Sequence, residues 1–231
     1  MAAPMRLRPR IVRAIFLHEV RALLVNPSVT ATAAMVLGFA LVFTRVLGFY
    51  PSYAGPFLGQ AAVTTVTAIG TVGMLVELRE RGGTATLARS GATPGELAAG
   101  CALAGIAVSE LSAFLCALVV EGDVPRALVS AALLLATAAP GACAMTALGM
   151  AGVDQQHVSP WGSALVIWGM LVGAAPTVLG SPWLLPCGAA SELMSTVLYG
   201  SAPAVPVACT VAAALGYLAL SAAALRRALR A

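Results

Sequence analysis

Apolar segments long enough to cross a lipid bilayer recur along this chain, and only short polar connections separate them. A hydrocarbon core of about 30 Å needs about 20 apolar residues in a helix. The sequence therefore predicts an all-α membrane protein with six transmembrane helices. The predicted spans are about 28–49, 57–78, 95–120, 126–151, 160–180 and 204–225.

The composition excludes an ordinary soluble domain. Of the 231 residues, 60% are hydrophobic and only 10% are charged, and the mean hydropathy is +0.93. Soluble domains are about half apolar and about a quarter charged. So few charges cannot coat a globule with polar surface, so lipid must be the solvent. The connections are too short for a separate soluble domain, and we expect residues 1–231 to form one transmembrane domain.

The thirteen basic residues are all arginine, and they cluster beside the predicted spans. Cytoplasmic loops of membrane proteins carry an excess of basic residues. We therefore predict a multi-pass protein of the plasma or inner membrane with both termini in the cytoplasm, which leaves only Arg45 and Arg126 outside. This clustering also explains the net charge of +4 without a nucleic-acid partner. The arginines predicted to lie inside are Arg6, Arg8, Arg10, Arg13, Arg21, Arg79, Arg81, Arg89, Arg226, Arg227 and Arg230.

Residues 10–25 predict an amphipathic helix that precedes the first span. Its apolar side chains recur at helical spacing, while Arg10, His18 and Arg21 gather on the opposite face. Such a helix lies in the membrane interface, with its arginines toward anionic lipid headgroups. Glu19 falls inside the apolar arc, which favours a partner for this carboxylate.

The connection 181–203 is too long for a simple turn between the last two spans. It predicts a short helix from about 187 to 199 between Pro186 and Pro203. The orientation set by the arginines places this helix on the extracellular side.

The loop 79–95 between the second and third spans predicts a second short helix. A charged segment meets the break Gly82-Gly83, Thr84 is suited to cap the helix, and Gly91 is suited to end it. Thr93 and Glu96 then match a capping box that opens the third span, with Pro94 at its first position. A helix of about two turns is not stable alone. We therefore expect it to dock against something.

This loop resembles that of the permease subunits of ABC-2-type transporters. Those permeases have six spans, an N-terminal elbow helix, and an acidic-basic stretch followed by Gly-Thr, Leu and a Ser/Thr-Pro start to the third span. Gly82 is an additional residue relative to that pattern. The matching residues are Glu77, Arg79, Glu80, Arg81, Gly83, Thr84, Leu87, Ser90, Thr93 and Pro94.

The resemblance implies a coupling helix that docks on a separate ATPase subunit. It implies two ATPase copies and a second permease copy, identical or different, in an exporter of hydrophobic or amphipathic compounds. Leu87 would be the apolar anchor, with Arg81 and Arg89 at the rim. Because the chain has no G-x-x-x-x-G-K-[ST] motif, ATP and Mg²⁺ would bind the partner, with no cofactor in this chain.

Three alternatives to an exporter remain at the level of sequence. One is a permease of a haem or cytochrome c biogenesis complex, and another is a membrane assembly protein that transports nothing. The third, an intramembrane protease, needs an activated Ser beside a His. The two histidines, His18 and His157, fall at or outside the cytoplasmic face, so the sequence argues against an enzyme.

Glu110 is an ionisable residue in the middle of the predicted third span. A charge at this depth costs about 2.5–3.5 kcal/mol on insertion scales, so it indicates a specific role. Glu110 is predicted to form a structural pair with Arg45 of the first span or to lie in the substrate path. A third possibility is a protonated Glu110 beside an Arg45 that extends toward the interface. The five cysteines lack the spacing of a metal site.

The predicted topology places position 86 in the cytoplasm. In a variant without native cysteines, a cysteine at position 86 should resist a membrane-impermeant thiol reagent applied to intact cells. Labelling from outside would contradict the topology and, with it, the role of the loop.

Overall fold

The computed structural model describes residues 7–153, 155–178, 182–203 and 205–229. All regular secondary structure within these ranges is helical. Arg6, Arg230 and the predicted span ends at 179, 180 and 204 lie outside them. The helices are α1 (Pro9–Val25), α2 (Pro27–Leu41), α3 (Pro51–Thr65), α4 (Val72–Glu80), α5 (Gly83–Arg89), α6 (Pro94–Glu121), α7 (Val124–Met150), α8 (Gln155–Val178), α9 (Gly188–Val197) and α10 (Val207–Ala228).

Five helices in the described part of the chain are long and apolar enough to cross a membrane, which makes this a multi-pass membrane protein. Two of them include a wide helical turn: Val42–Val46 extends α2, and Val66–Thr71 joins α3 to α4. Helix α8 holds a shorter apolar stretch, Gly162–Ala174, where the fifth span is predicted. The spanning helices are Pro27–Val46, Pro51–Glu80, Pro94–Glu121, Val124–Met150 and Val207–Ala228.

The second spanning helix, Pro51–Glu80, is the centre of the bundle. In its most apolar stretch 78% of the residues are buried, against 17% for Pro27–Val46 and 6% for Val207–Ala228. It begins at Pro51, before the predicted start at 57, because proline favours the first position of a helix.

Glycines on α8 allow it to approach the central helix closely. A Cβ built on Gly173 would lie 2.6 Å from the carbonyl oxygen of Pro56 and 2.8 Å from Cα of Phe57. A Cβ on Gly169 would lie 2.6 Å from the Thr64 side chain. Small residues at helix contacts are typical of membrane bundles, where close packing takes the place of hydrophobic burial.

Helix α1 packs along the start of α6 and covers the predicted range 10–25. Ile15 fits against Gly100, where a Cβ would lie 2.5 Å from the Ile15 side chain. Glu19 is buried, and its carboxylate contacts His18 Nδ1 at 3.1 Å. Burial raises the pKa of Glu19 above its usual range. The expected partner of Glu19 is thus its own neighbour, while the interfacial role of α1 stays a prediction.

Helix α9 forms within the predicted range 187–199 and lies inside the bundle. Its place on the extracellular side stays a prediction. All residues from Gly188 to Ser195 are buried. Two hydrogen bonds hold the residues that precede α9. Gln60 Nε2 of the central helix donates to the carbonyl of Cys187 (2.8 Å), and Tyr217, mid-way along α10, donates to the carbonyl of Leu184 (2.5 Å).

The other end of α9 reaches the junction of α6 and α7. There the Tyr199 hydroxyl donates to Glu121 (2.5 Å), and Arg126 donates to the carbonyl of Leu198 (3.0 Å). Helix α9 is therefore a half-helix that rises from mid-depth to one end of the bundle, which we name the α9 end. The opposite end, which carries α1 and α5, is the α5 end.

We expect Gly173→Ala to destabilise the fold, because the new methyl group meets backbone atoms of α3 that cannot rotate away. Overpacking of this kind costs about 1–3 kcal/mol. Gly38→Ala is the matched control, since a Cβ at Gly38 meets no atom within 4 Å. Thermal unfolding in detergent should show a lower midpoint for Gly173→Ala alone. Equal midpoints would contradict the close packing of α3 and α8.

Candidate functional site

A fully buried carboxylate organises the α5 end of the bundle. Glu96 has no exposed surface and lies in the first turn of α6. Its oxygens accept hydrogen bonds from the Arg8 Nε (2.8 Å), the Arg8 Nη2 (2.8 Å) and the Arg8 backbone N–H (2.9 Å). The backbone N–H of Thr93 donates to the same carboxylate at 2.9 Å. We call the group Arg8, Thr93 and Glu96 the clamp.

The clamp joins three segments that are distant in sequence. Arg8 is the residue before α1, and it also donates to the carbonyl of Gly91 in the loop. The hydrogen bond to Glu96 raises the pKa of the Arg8 guanidinium above its usual value. The predicted capping box is confirmed, because Thr93 Oγ1 accepts from the Glu96 N–H at 3.3 Å. The partner Arg8 was missed, since no local pattern connects residues 88 positions apart.

Arg79 ties the loop 79–95 to the far end of α7. Its guanidinium donates to the carbonyls of Gly149 (3.3 Å) and Val153 (2.5 Å). Basic side chains commonly satisfy the carbonyls left free at the end of a helix. This residue, predicted to contact a partner, thus fixes the loop to its own chain.

Helix α5 begins and ends at glycines. Gly82 precedes α5 and has a φ of +72°, a left-handed conformation that favours glycine. Because Gly82 is the N-cap residue, the start of α5 has no side-chain cap. The prediction that Thr84 caps the helix is wrong, because the additional Gly82 makes the turn and leaves Thr84 inside the helix. Gly91, with a φ of +84°, ends the helix as predicted.

Leu87, the expected apolar anchor for an ATPase, faces the bundle. It packs against the buried residues Leu75, Leu97 and Cys101, together with Ile15 of α1. A shallow groove of about 100 Å³ separates α5 from the start of α6 and is lined by Leu87 and Pro94 among others. The short helix thus docks first on its own chain.

The remaining loop residues are mostly exposed. Arg81 forms an exposed pair with Glu77 (2.5 Å), and such pairs add little stability. Ser90 donates to the carbonyl of Leu87 (2.7 Å), which closes the last turn of α5. Glu80 is exposed at the end of α4 and Gly83 lies against Leu78. The outward face of α5 includes Ala85, Thr86 and Arg89, and Ala88 is also exposed, beside the groove.

The expected pair between Glu110 and Arg45 does not form. One Arg45 nitrogen lies near Gly122, 3.6 Å from where a Cβ would stand. Gly122 is twelve residues beyond Glu110, about 18 Å along the helix. The half-buried Glu110 has one enclosed oxygen without a hydrogen-bond partner in the described part of the chain. The pair fails because Arg45 stands at the α9 end of the bundle, far along the helix from Glu110.

No family model, curated protein or solved structure matches the chain. Within the residues that the structure describes, His, Cys, Asp and Glu side chains do not gather in groups of three or more that could hold a metal ion. The function is therefore proposed from the geometry of the residues themselves.

We expect Arg8→Ala to lower the thermal midpoint by several degrees, because it leaves the buried Glu96 carboxylate without its charged donor. Arg10→Ala is the matched control, since Arg10 is an exposed arginine two positions away. Unfolding in detergent and proteolysis of the loop 79–95 measure the effect. A double variant Arg8→Ala/Glu96→Ala should lose less stability than the sum of the two single changes. Simple additivity would contradict the clamp.

Proposed function

We propose that this chain is the permease subunit of an ABC-2-type transporter that exports a hydrophobic or amphipathic compound. The loop 79–95 would receive the motion of a separate ATPase subunit, which binds ATP and Mg²⁺. The observation that carries the proposal is the rigid attachment of α5, a helix of seven residues with one face outward, to the end of the central helix.

The attachment of α5 is suited to transmit force. The loop follows directly from Glu80, the last residue of the most buried spanning helix, and leads directly into α6. Arg79 fixes the start of this loop to α7, and the clamp fixes its end to α1 and α6. Displacement of α5 would therefore move several spanning helices together.

The geometry changes the roles first assigned within the loop. Leu87 and Arg79 hold α5 on its own chain, so they support the coupling element from behind. The contact with an ATPase would fall to Ala85, Thr86 and Arg89. A face made of two small side chains and one arginine permits close approach and one charged contact. Charged groups at a rim mainly tune association and specificity.

The proposed assembly contains two ATPase copies and a second permease copy. Two alternatives use the same architecture: a permease of a haem or cytochrome c biogenesis complex, and a membrane assembly protein that transports nothing. The biogenesis permease would differ from the exporter only in the compound it transports. The assembly protein would have no ATPase at α5, so the partner bound to this helix distinguishes transport from assembly.

A photo-crosslinking amino acid at Ala85 should capture a protein that contains the ATP-binding sequence G-x-x-x-x-G-K-[ST]. Ala202 is the matched control, because it is an exposed alanine in the connection at the α9 end. Mass spectrometry of the adducts from native membranes measures the result. Capture from position 85 alone is expected. Absence of a nucleotide-binding protein at position 85, or equal capture from position 202, would contradict the proposal.

A further inference from the structure

A cavity of about 140 Å³ lies in the middle of the bundle, where the half-helix α9 begins. Its walls come from the central helix, α7, α8, α9 and α10. It is separate from the loop at the α5 end. Residues that define it are Thr64, Thr137, Pro140, Leu165, Cys187 and Tyr217.

The described walls are almost entirely carbon and include no charged side chain. Two of the hydroxyl groups are already engaged: Thr64 donates to the carbonyl of Gln60 (2.6 Å), and Tyr217 donates to the carbonyl of Leu184. A charged ligand would therefore find no counter-ion here. The cavity suits an uncharged, mostly apolar molecule.

Thr137 supplies an unused polar group. Its side chain lines the cavity and is 3% exposed, and its hydroxyl has no hydrogen-bond partner among the described residues. It lies beside the Cys187 thiol without reaching hydrogen-bond geometry. Burial of a polar group without a partner is unfavourable, and a hydrogen bond with a ligand oxygen, reached by rotation of the enclosed Thr137 hydroxyl, would relieve it.

The start of α9 lies beside the same cavity, because Cys187 and Ala189 line it. The Gly188 N–H already donates to the carbonyl of Leu185 (2.8 Å). Cys187 precedes the helix and makes no side-chain hydrogen bond to it. The N–H groups of a first helical turn have no partner within the helix, and they carry partial positive charge. In membrane transporters, interrupted helices commonly direct such N-termini at polar groups of a ligand near the bilayer centre. A ligand oxygen here would lie between the α9 N-terminus and Thr137.

The cavity opens toward lipid between α8 and α10. These helices hardly touch each other, because α10 packs mainly on α7 and α9. Leu165, Tyr217 and Ser221 line the cavity and are only half-buried. A molecule dissolved in the bilayer therefore has a direct lateral path.

From these observations we infer that the cavity binds a small uncharged amphipathic molecule, with an apolar body of about the size of benzene and one hydrogen-bonding oxygen. A comparable apolar cavity of about 150 Å³ binds benzene, and water needs two to four polar partners to be held. The inference is independent of the ATPase, because every wall belongs to this chain.

A photoreactive diazirine derivative of pentanol is the probe, applied to the purified full-length chain in lipid nanodiscs. Labelling should fall on 136–144 and 186–189, and excess benzyl alcohol should compete with it. Ala144→Phe and Ala136→Phe place a ring in the cavity and should abolish labelling. Ala132→Phe is the matched control, because Ala132 is exposed on the same helix. Each variant is first checked for an unchanged thermal midpoint.

Thr137→Val tests the polar contact at nearly constant shape. It should weaken labelling by the alcohol about five-fold, the loss expected for one hydrogen bond, and leave labelling by a diazirine hydrocarbon without the hydroxyl unchanged. Labelling that survives both phenylalanine variants, or that spreads evenly over lipid-facing residues, would overturn the site. An equal response of the two probes to Thr137→Val would overturn the polar contact.

Discussion

The buried carboxylate of Glu96 sets the constraint on which the α5 end of the molecule depends. A carboxylate with no exposed surface is stable only when its oxygens are matched by donors, and Arg8 and Thr93 supply them. Those donors belong to different segments, so satisfying one charge fixes α1, the loop and α6 in a single arrangement. The α5 helix is too short to be stable alone, and this arrangement holds it in position.

Close packing around the central helix fixes the arrangement of the helices in the interior. Glycines on α8 bring backbone against backbone, and Gly55 leaves room for the hydroxyl of Tyr199. The half-helix α9 then fills the space between α3, α7 and α10. Because α9 begins at mid-depth, a cavity remains in the bundle beside its first turn. Among the described residues that line this cavity, Thr137 has a hydroxyl without a hydrogen-bond partner.

Helix positions followed from local chemistry, and the sequence predicted them well. The Asn26 cap and the capping box of Thr93 mark helix starts, and Gly91 marks an end. The depth of each helix in the bundle, and the direction in which its side chains face, did not follow from the sequence. In lipid, all faces of a helix are apolar, so periodicity cannot tell which side is buried. For that reason the depth of α9 was missed. The inward contact of Leu87 and the distance between Arg45 and Glu110 were missed because both depend on how separate segments pack together.

The half-helix has a consequence for the order of assembly during synthesis. Ten residues extend about 15 Å, half the thickness of the hydrocarbon core, so α9 cannot enter the bilayer as a span of its own. Its buried polar residues, Ser191 and Glu192 among them, would face lipid if α3 and α7 were not yet in place. The helix can therefore bury these residues only where α3 and α7 are already in place, and the cavity is complete only when α10, one of its walls, has packed as well.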